Sequence, residues 1–351
     1  MKRIVILIDN AYSYAGTENI CNFMAETFGA DNEVTVYSLH GSGETFYPFD
    51  NVREIVTFRG KRFPLLSAII SINNKNFDFA FIISMGKLSV YFSLIQKMIS
   101  ITGKNKAKFI SCEHVSYHSF SPLIKILKKT FLKFYDGVIL LTSSDQAIYN
   151  SFNITSFCIP NPVQYQGVIR NTRSKIALAA GRLSHQKGFD KLINIWSAFI
   201  INNPDWKLYI AGDGELMLSL QSKVKELGIE NSITFLGRVN NIEYYYNIAD
   251  VFLMTSRYEG LPLVLLESQS WGMPAISFDC PTGPKEVIKN SENGFLINMD
   301  DNELFISKLE LLNEDDVFYR LSQGAVSNSS MYNPELIKQK WNALLHHNFK
   351  E

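Results

Sequence analysis

Short runs rich in β-branched and aromatic residues recur along this chain, and segments of helical period separate them. RIVILI, EVTVYSL, FDFAFIIS, KFISC and GVILLTS alternate with stretches such as NICNFMAETF and LSVYFSLIQKMI. Strands separated by helices are parallel strands, because a parallel neighbour is reached only by a crossover that returns to the same end of the sheet. The pattern pauses over CIPNPVQYQGVIRNTRS, residues 158–174, where Pro160, Pro162 and Gly167 interrupt every period. It resumes with KIALAAG, WKLYIAG, SITFLG, DVFLMTS, PAISFD and GFLIN, with KLINIWSAFI and LMLSLQSKVKEL among the intervening helices. Two consecutive doubly wound α/β domains are the economical reading.

At 351 residues and 46% hydrophobic side chains, the chain can bury two cores, which excludes a disordered or fibrous class. No run approaches the ~18 uninterrupted apolar residues of a membrane span, and the opening MKRIVILIDN reads as a first buried strand of a cytoplasmic protein. Cys21, Cys112, Cys158 and Cys280 form no CxxC pair and have no histidine at metal spacing, so buried or incidental thiols are expected. Charge sums to zero but is uneven: residues 97–133 hold eight lysines and the single acid Glu113. Such a stretch can face anionic lipid, a phosphate-bearing substrate or nucleic acid.

In open parallel sheets, ligands bind outside the carboxyl ends of strands, so the informative residues should follow the strands. Gly181, Arg182 and Lys187 follow KIALAA and precede a helix; a guanidinium fork and an ammonium there suit two adjacent phosphates. The alternative is a pair of solvated surface cations. EGLPLVLLESQSWGMP, residues 259–274, carries Glu259 and Glu267 around an apolar run. Pro262 fits a helix start and Gly272 with Pro274 fits its end, so Glu259 and Gly260 fall in a loop and Glu267 inside a helix over about 262–271. A carboxylate beside an apolar helix face requires a hydrogen-bonding partner or a ligand.

In combination, the glycine and arginine, the lysine after them, and two glutamates separated by seven residues resemble the retaining nucleotide-sugar glycosyltransferases of family 4. IDNAYSYAGTENI resembles that family's N-terminal glycine loop, IPNPV its linker, and AGDGEL and FLGRV its donor-domain turns. The resemblance implies the GT-B fold: α/β, with two Rossmann-like doubly wound domains facing across a cleft. An acceptor-binding domain would occupy 1–162, a nucleotide-sugar donor domain 163–330, and a C-terminal helix over 331–351 would cross back to the first.

The resemblance also implies roles. Arg182 and Lys187 would bind the donor diphosphate and stabilise the leaving group. Glu267 would accept from the ribose hydroxyls, and Glu259 would sit at the donor sugar beside Gly260 and Leu261. Arg238 and Val239 would border the base, and Gly16 would approach the phosphates, although Ala15 stands where a second glycine is usual. His114, directly after the strand KFISC, would point at the donor sugar as a catalytic residue, with Glu113 beside it as a sugar or acceptor candidate and His118 a loop residue. Asp9 and Asn10, ending the first strand, could meet the acceptor or cap a turn. SFDCPTGPKEVI resembles the members that move galactose or N-acetylgalactosamine in bacterial surface-polysaccharide assembly, and places Thr282 and Gly283 near the sugar.

The expected activity is therefore retaining transfer of a sugar, galactose or N-acetylgalactosamine ahead of glucose or N-acetylglucosamine, from a UDP-sugar to a lipid-diphosphate-linked oligosaccharide. No metal or other cofactor is expected, since Arg182, Lys187 and helix dipoles can neutralise the diphosphate. SPLIKILKKTFLKF, residues 121–134, reads either as a packed helix with a solvated lysine face or as a basic helix lying on an anionic membrane through Lys125, Lys128, Lys129 and Lys133. The second reading makes the protein peripheral on the inner face of the cytoplasmic membrane, without a nucleic-acid partner. Two rival classes are a non-catalytic sugar-nucleotide-binding subunit and an NAD-dependent oxidoreductase; the latter should carry GxGxxG and a later acid, and neither is present.

Overall fold

In the computed structural model, residues 1–13, 16–99 and 107–349 are described; Ala15, Lys104 and Lys106 lie outside them. The chain divides into two compact units, Met1–Asn161 with Glu335–Glu351, and Pro162–Pro334. Each unit holds one parallel sheet.

Strands of the first unit are β1 (Arg3–Asn10), β2 (Glu33–His40), β3 (Glu54–Thr57), β4 (Phe79–Ser84), β5 (Lys108–Glu113), β6 (Gly137–Leu140) and β7 (Ser156–Cys158), in the order β3-β2-β1-β4-β5-β6-β7. The central β1 and β4 are apolar on both faces, as a sheet covered by helices on both sides requires. One face packs against helix Gly16–Gly29 and the C-terminal helix Pro334–Leu345, whose Ile337, Trp341, Leu344 and Leu345 join Phe28 and Phe81 in one core. Trp341 meets both phenylalanine rings edge-on, at 5.9 and 6.0 Å between centroids. The opposite face carries helices Pro64–Asn74, Leu88–Ile99 and Ser143–Ser151 over a second core that includes Ile69, Phe92 and Tyr149.

The second unit has β8 (Ile176–Ala180), β9 (Lys207–Ala211), β10 (Ile233–Gly237), β11 (Val251–Met254), β12 (Ala275–Phe278) and β13 (Gly294–Ile297), in the order β10-β9-β8-β11-β12-β13. Winding reverses between β8 and β11, where Ala177 pairs with Val251 and Leu178 with Phe252. The crevice at such a reversal, outside the strand ends, is where open α/β sheets take ligands.

Helix Pro122–Phe131 departs from the outward lysine face read from its sequence. Lys128 has a fully buried side chain and donates to Glu113 Oε2 at 2.5 Å, whereas Leu123 and Ile126 are 65% and 64% exposed. The reason lies at the end of β5: Glu113 is itself fully buried, and a buried carboxylate demands a cation. Ser111 Oγ donates to its other oxygen at 2.8 Å, and Lys128 also reaches Ser89 Oγ at 3.3 Å. Glu113, taken above as a sugar or acceptor candidate, thus has its carboxylate engaged inside the first unit.

Candidate functional site

The loops after β8, β9 and β11 interlock through glycines. Gly181 follows β8 at φ 152°, and a Cβ on Gly212, after β9, would stand 1.9 Å from the Gly181 carbonyl oxygen. A Cβ on Gly214 would stand 2.5 Å from the Leu183 carbonyl oxygen, so the AGDGEL turn is moulded onto the loop that carries Arg182. Arg182 is solvent-exposed, with Nε 3.5 Å from Glu215 Oε2 at the edge of that turn. Such an exposed contact holds the guanidinium only loosely.

Lys187 sits on the turn His185–Lys187, and its side chain lies over the bare face of Gly181. Gly188 follows in the left-handed region at φ 67° and opens helix Phe189–Asn202; Thr255 Oγ1 donates to its carbonyl at 2.9 Å. That contact ties the β8 loop to the β11 loop. A second tie is bidentate: Arg257 donates to both carboxylate oxygens of Asp190, at 2.9 and 2.7 Å, which holds Asp190 below the usual carboxylate range.

These ties bring Lys187 and Glu259 together. Lys187 Nζ donates to Glu259 Oε1 at 2.7 Å and Ser256 Oγ donates to the same oxygen at 2.6 Å, with Glu259 buried. Thr282, strained at φ 61°, donates through Oγ1 to the Glu259 carbonyl; Gly283, at φ 71°, packs where a Cβ would stand 2.0 Å from the Gly260 carbonyl oxygen. The β12 loop therefore braces the loop of Glu259, Gly260 and the buried Leu261. Helix Leu263–Ser270 starts directly after Pro262, placing the first-turn N–H groups, which have no intrahelical partner, beside that loop.

Glu267 lies within that helix, not in the loop. Tyr246 OH donates to its Oε2 at 2.8 Å, while burial raises its carboxyl above the ordinary range. Arg238, exposed, and Val239, half-buried, follow β10. Among the described residues, no group of three or more histidine, cysteine or acidic side chains could hold a metal ion.

In the first unit, His114 follows β5 with its N–H on the Ser84 carbonyl at 3.1 Å. Its Nε2 is buried without a hydrogen-bond partner, and burial lowers its pKa to about 4, against a weaker upward pull from Glu113. The imidazole is neutral at physiological pH, able to exchange hydrogen bonds but not to supply positive charge. Asn10 Oδ1 accepts from Tyr12 N–H at 3.0 Å and so caps the turn after β1, whereas Asp9 is exposed, 3.7 Å from His40. Gly16, the first residue of its helix, is exposed, and His118 is exposed in its turn. Leu88–Ile99, Pro122–Phe131 and the other described helices include none long and apolar enough to cross a membrane.

Sequence reasoning passed over Ser256, Arg257, Asp190 and Tyr246. Ser256 and Arg257 lie between the strand DVFLM and Glu259, in TSRYEG, so the signal was a donor and a cation beside a singled-out acid. Tyr246 had no local signal.

The family model described as "Glycosyl transferases group 1" matches residues 165–327. The amylovoran biosynthesis glycosyltransferase AmsD of Erwinia amylovora is 36% identical over 98% of this chain and 100% of its own length. An α-1,4-N-acetyl-D-galactosaminyltransferase of Campylobacter jejuni, named for a diphosphoundecaprenol-linked acceptor, is 31% identical over 98% of each chain. Among solved structures, the lipopolysaccharide outer core galactosyltransferase WaaB in its apo form aligns with a TM-score of 0.80 at 19% identity, covering 98% of this chain and 99% of its own. Anabaena HepE in complex with UDP aligns with a TM-score of 0.79 at 17% identity, covering 99% and 100%.

Proposed function

Because this chain belongs to the group 1 glycosyl transferases, we propose that it transfers a sugar, galactose or N-acetylgalactosamine in preference to glucose or N-acetylglucosamine, from a UDP-sugar to a lipid-diphosphate-linked oligosaccharide, with retention, in O-antigen, capsule or related bacterial glycan assembly. The observation that carries the reading is the pairing of half-buried Lys187 with buried Glu259 at the winding reversal of the second sheet. The names of relatives supply the substrate class: one acts on a diphosphoundecaprenol-linked glycan, and another is a UDP-Gal:α-D-GlcNAc-diphosphoundecaprenol α-1,3-galactosyltransferase of Escherichia coli.

In this reading the second unit is the donor domain and the first binds acceptor. Arg182 and Lys187 neutralise the diphosphate, and Arg182 is free to swing onto it because its contact with Glu215 is loose. Glu259, steadied by Ser256 and Lys187, meets the sugar hydroxyls; Thr282 and Gly283 fix that loop against slipping. Arg238 and Val239 border the base, Glu267 receives the ribose, and Gly16 approaches the phosphates. When the bond from the anomeric carbon to the phosphate oxygen breaks, its electron pair goes to the diphosphate. The acceptor hydroxyl forms the new bond on the same face, and its proton passes to the departing phosphate oxygen. Lys187 and Arg182 stabilise the charge that develops there, so no metal is required. His114, neutral and with Nε2 unpartnered, offers a hydrogen bond to the sugar without competing for the phosphate.

We place the protein on the inner face of the cytoplasmic membrane through helix Pro122–Phe131. Its exposed Leu123 and Ile126 would enter the headgroup boundary, while Lys125, Lys129 and Lys133 remain for anionic lipid at ~1 kcal/mol each. Sedimentation with phosphatidylcholine vesicles, with and without phosphatidylglycerol, tests this: binding indifferent to the anionic lipid overturns it.

The activity is tested by incubating the protein with UDP-sugars and a lipid-diphosphate disaccharide and reading the anomeric configuration of the product by NMR. An α-linked product from an α-donor, formed in EDTA, is expected. An inverted product, or activity restored only by manganese, overturns the mechanism, and UDP binding without transfer to any acceptor marks a non-catalytic subunit.

A further inference from the structure

The carboxylate assigned to the ribose is held by a side chain outside its own helix. Tyr246, on helix Ile242–Ile248, is 2% exposed, and its hydroxyl donates to Glu267 Oε2 at 2.8 Å. Its ring packs 6.5 Å from that of Phe252 in β11. The backbone that carries Tyr246 is fixed in turn by Arg170, a buried residue of the segment ahead of β8. Arg170 donates to the carbonyls of Tyr246 and Asn247 at the end of one helix, and through Nε to the Trp271 carbonyl, 2.8 Å away, at the end of the other. Both helix ends present unpaired carbonyls with partial negative charge, so one guanidinium clamps them together.

A carboxylate has two oxygens, and an oxygen occupied by a phenol leaves the other to face a ligand. Resting on the reading of Glu267 as the ribose acceptor, we propose that Tyr246 is a positioning residue for nucleotide recognition: it occupies Oε2 and so presents Oε1 of Glu267 to the ribose hydroxyls, with Arg170 fixing the two helices that carry the pair. The hydrogen bond also favours the ionised form of the carboxylate. Burial raises the Glu267 carboxyl and the Tyr246 bond opposes that rise, so removing the hydroxyl raises it further. A phenol that merely satisfied its own buried oxygen would affect packing but not the choice between nucleotides that differ at the ribose.

The test is calorimetric titration of the full chain with UDP and with 2′,3′-dideoxy-UDP, in the wild type, Tyr246→Phe and Glu267→Gln. Both nucleotides carry the same diphosphate, so its titration cancels. The wild type should prefer UDP. Tyr246→Phe should lose about 10- to 100-fold in UDP affinity, as expected for one hydrogen bond to a charged group, with dideoxy-UDP unchanged. Its remaining preference should also fade at a higher pH on acidification than in the wild type. If Glu267→Gln abolishes the preference and Tyr246→Phe leaves it intact, or weakens both nucleotides equally, the proposal is overturned and the ribose reading stands. If Glu267→Gln leaves the preference intact, the ribose reading fails and takes the proposal with it. Should the phenylalanine variant not fold, 3-fluorotyrosine at position 246 retains the bond and reports through 19F. Its resonance should move on adding UDP and as Glu267 titrates; a resonance indifferent to UDP overturns the proposal.

Discussion

Acidification should destabilise the first unit through one side chain. His114 has its pKa lowered from 6.5 to about 4 by burial, so the folded state holds it neutral while the unfolded chain takes up a proton. The sign follows from that difference: its stabilising contribution is complete above pH ~6.5, declines as pH falls, and levels off below about 4. Each unit of separation corresponds to about 1.4 kcal/mol, so the full loss is about 3 kcal/mol. At pH 5 the unfolded imidazole is almost wholly charged and the folded one almost wholly neutral, and the loss is already about 2 kcal/mol. Other carboxylates titrate over the same range, so the measurement is a difference between chains. Urea titrations at pH 7.5 and pH 5.0, read by pulsed hydrogen exchange on peptides covering β5, are compared for the wild type and His114→Asn. The wild type should lose about 2 kcal/mol more than the variant between the two pH values. Equal losses would refute the reasoning, because they would mean that the imidazole accepts a proton as readily in the folded chain as in the unfolded one. The same result would remove the case for a neutral His114 at the sugar.

Lys187→Ala should weaken UDP binding roughly 10- to 100-fold by calorimetry, since it removes a charge-assisted contact to the diphosphate; an unchanged dissociation constant rejects the role. Lys128→Met leaves Glu113 buried without its cation and should cost about 3–5 kcal/mol in urea denaturation, most of it recovered when Glu113→Leu is added. Gly188→Ala puts a Cβ 2.1 Å from the Thr255 carbonyl oxygen at a left-handed position. It should therefore displace Lys187 from Glu259 and reduce UDP affinity by about 10-fold or more, while hydrogen exchange in the first unit stays unchanged.

The parallel sheets were legible because long apolar strands and amphipathic helices advertise their period. β3 and β7 were not, being four and three residues long at the sheet edges, too short to show one. The placement of Glu259 in a loop and Glu267 in a helix was readable from Pro262, whose ring suits the beginning of a helix. The partners of these acids were less so. Lys187 is 72 residues from Glu259, and Tyr246 is 21 from Glu267; only the winding of the sheet brings such positions together. Lys128 shows the opposite failure. Helical spacing grouped it with solvated lysines, but the buried acid at the end of β5 drew it inward and left Leu123 and Ile126 outside. Amphipathic spacing identifies two faces without saying which one the neighbours will claim.

The first unit is sewn from both ends of the chain, since Trp341 and its helix fill the core beside Phe28 and Phe81. During synthesis, every strand of that sheet leaves the ribosome before the helix that completes the cover of one of its faces, and the whole of the second unit is made in between. The nascent sheet must wait with one apolar face covered only by helix Gly16–Gly29 while its neighbour folds. A stop codon or protease cut ahead of Pro334 would thus injure the unit that was made first and spare the one made last. Deleting residues 334–351 should leave the second unit's sheet formed and turn the first into a target for chaperones.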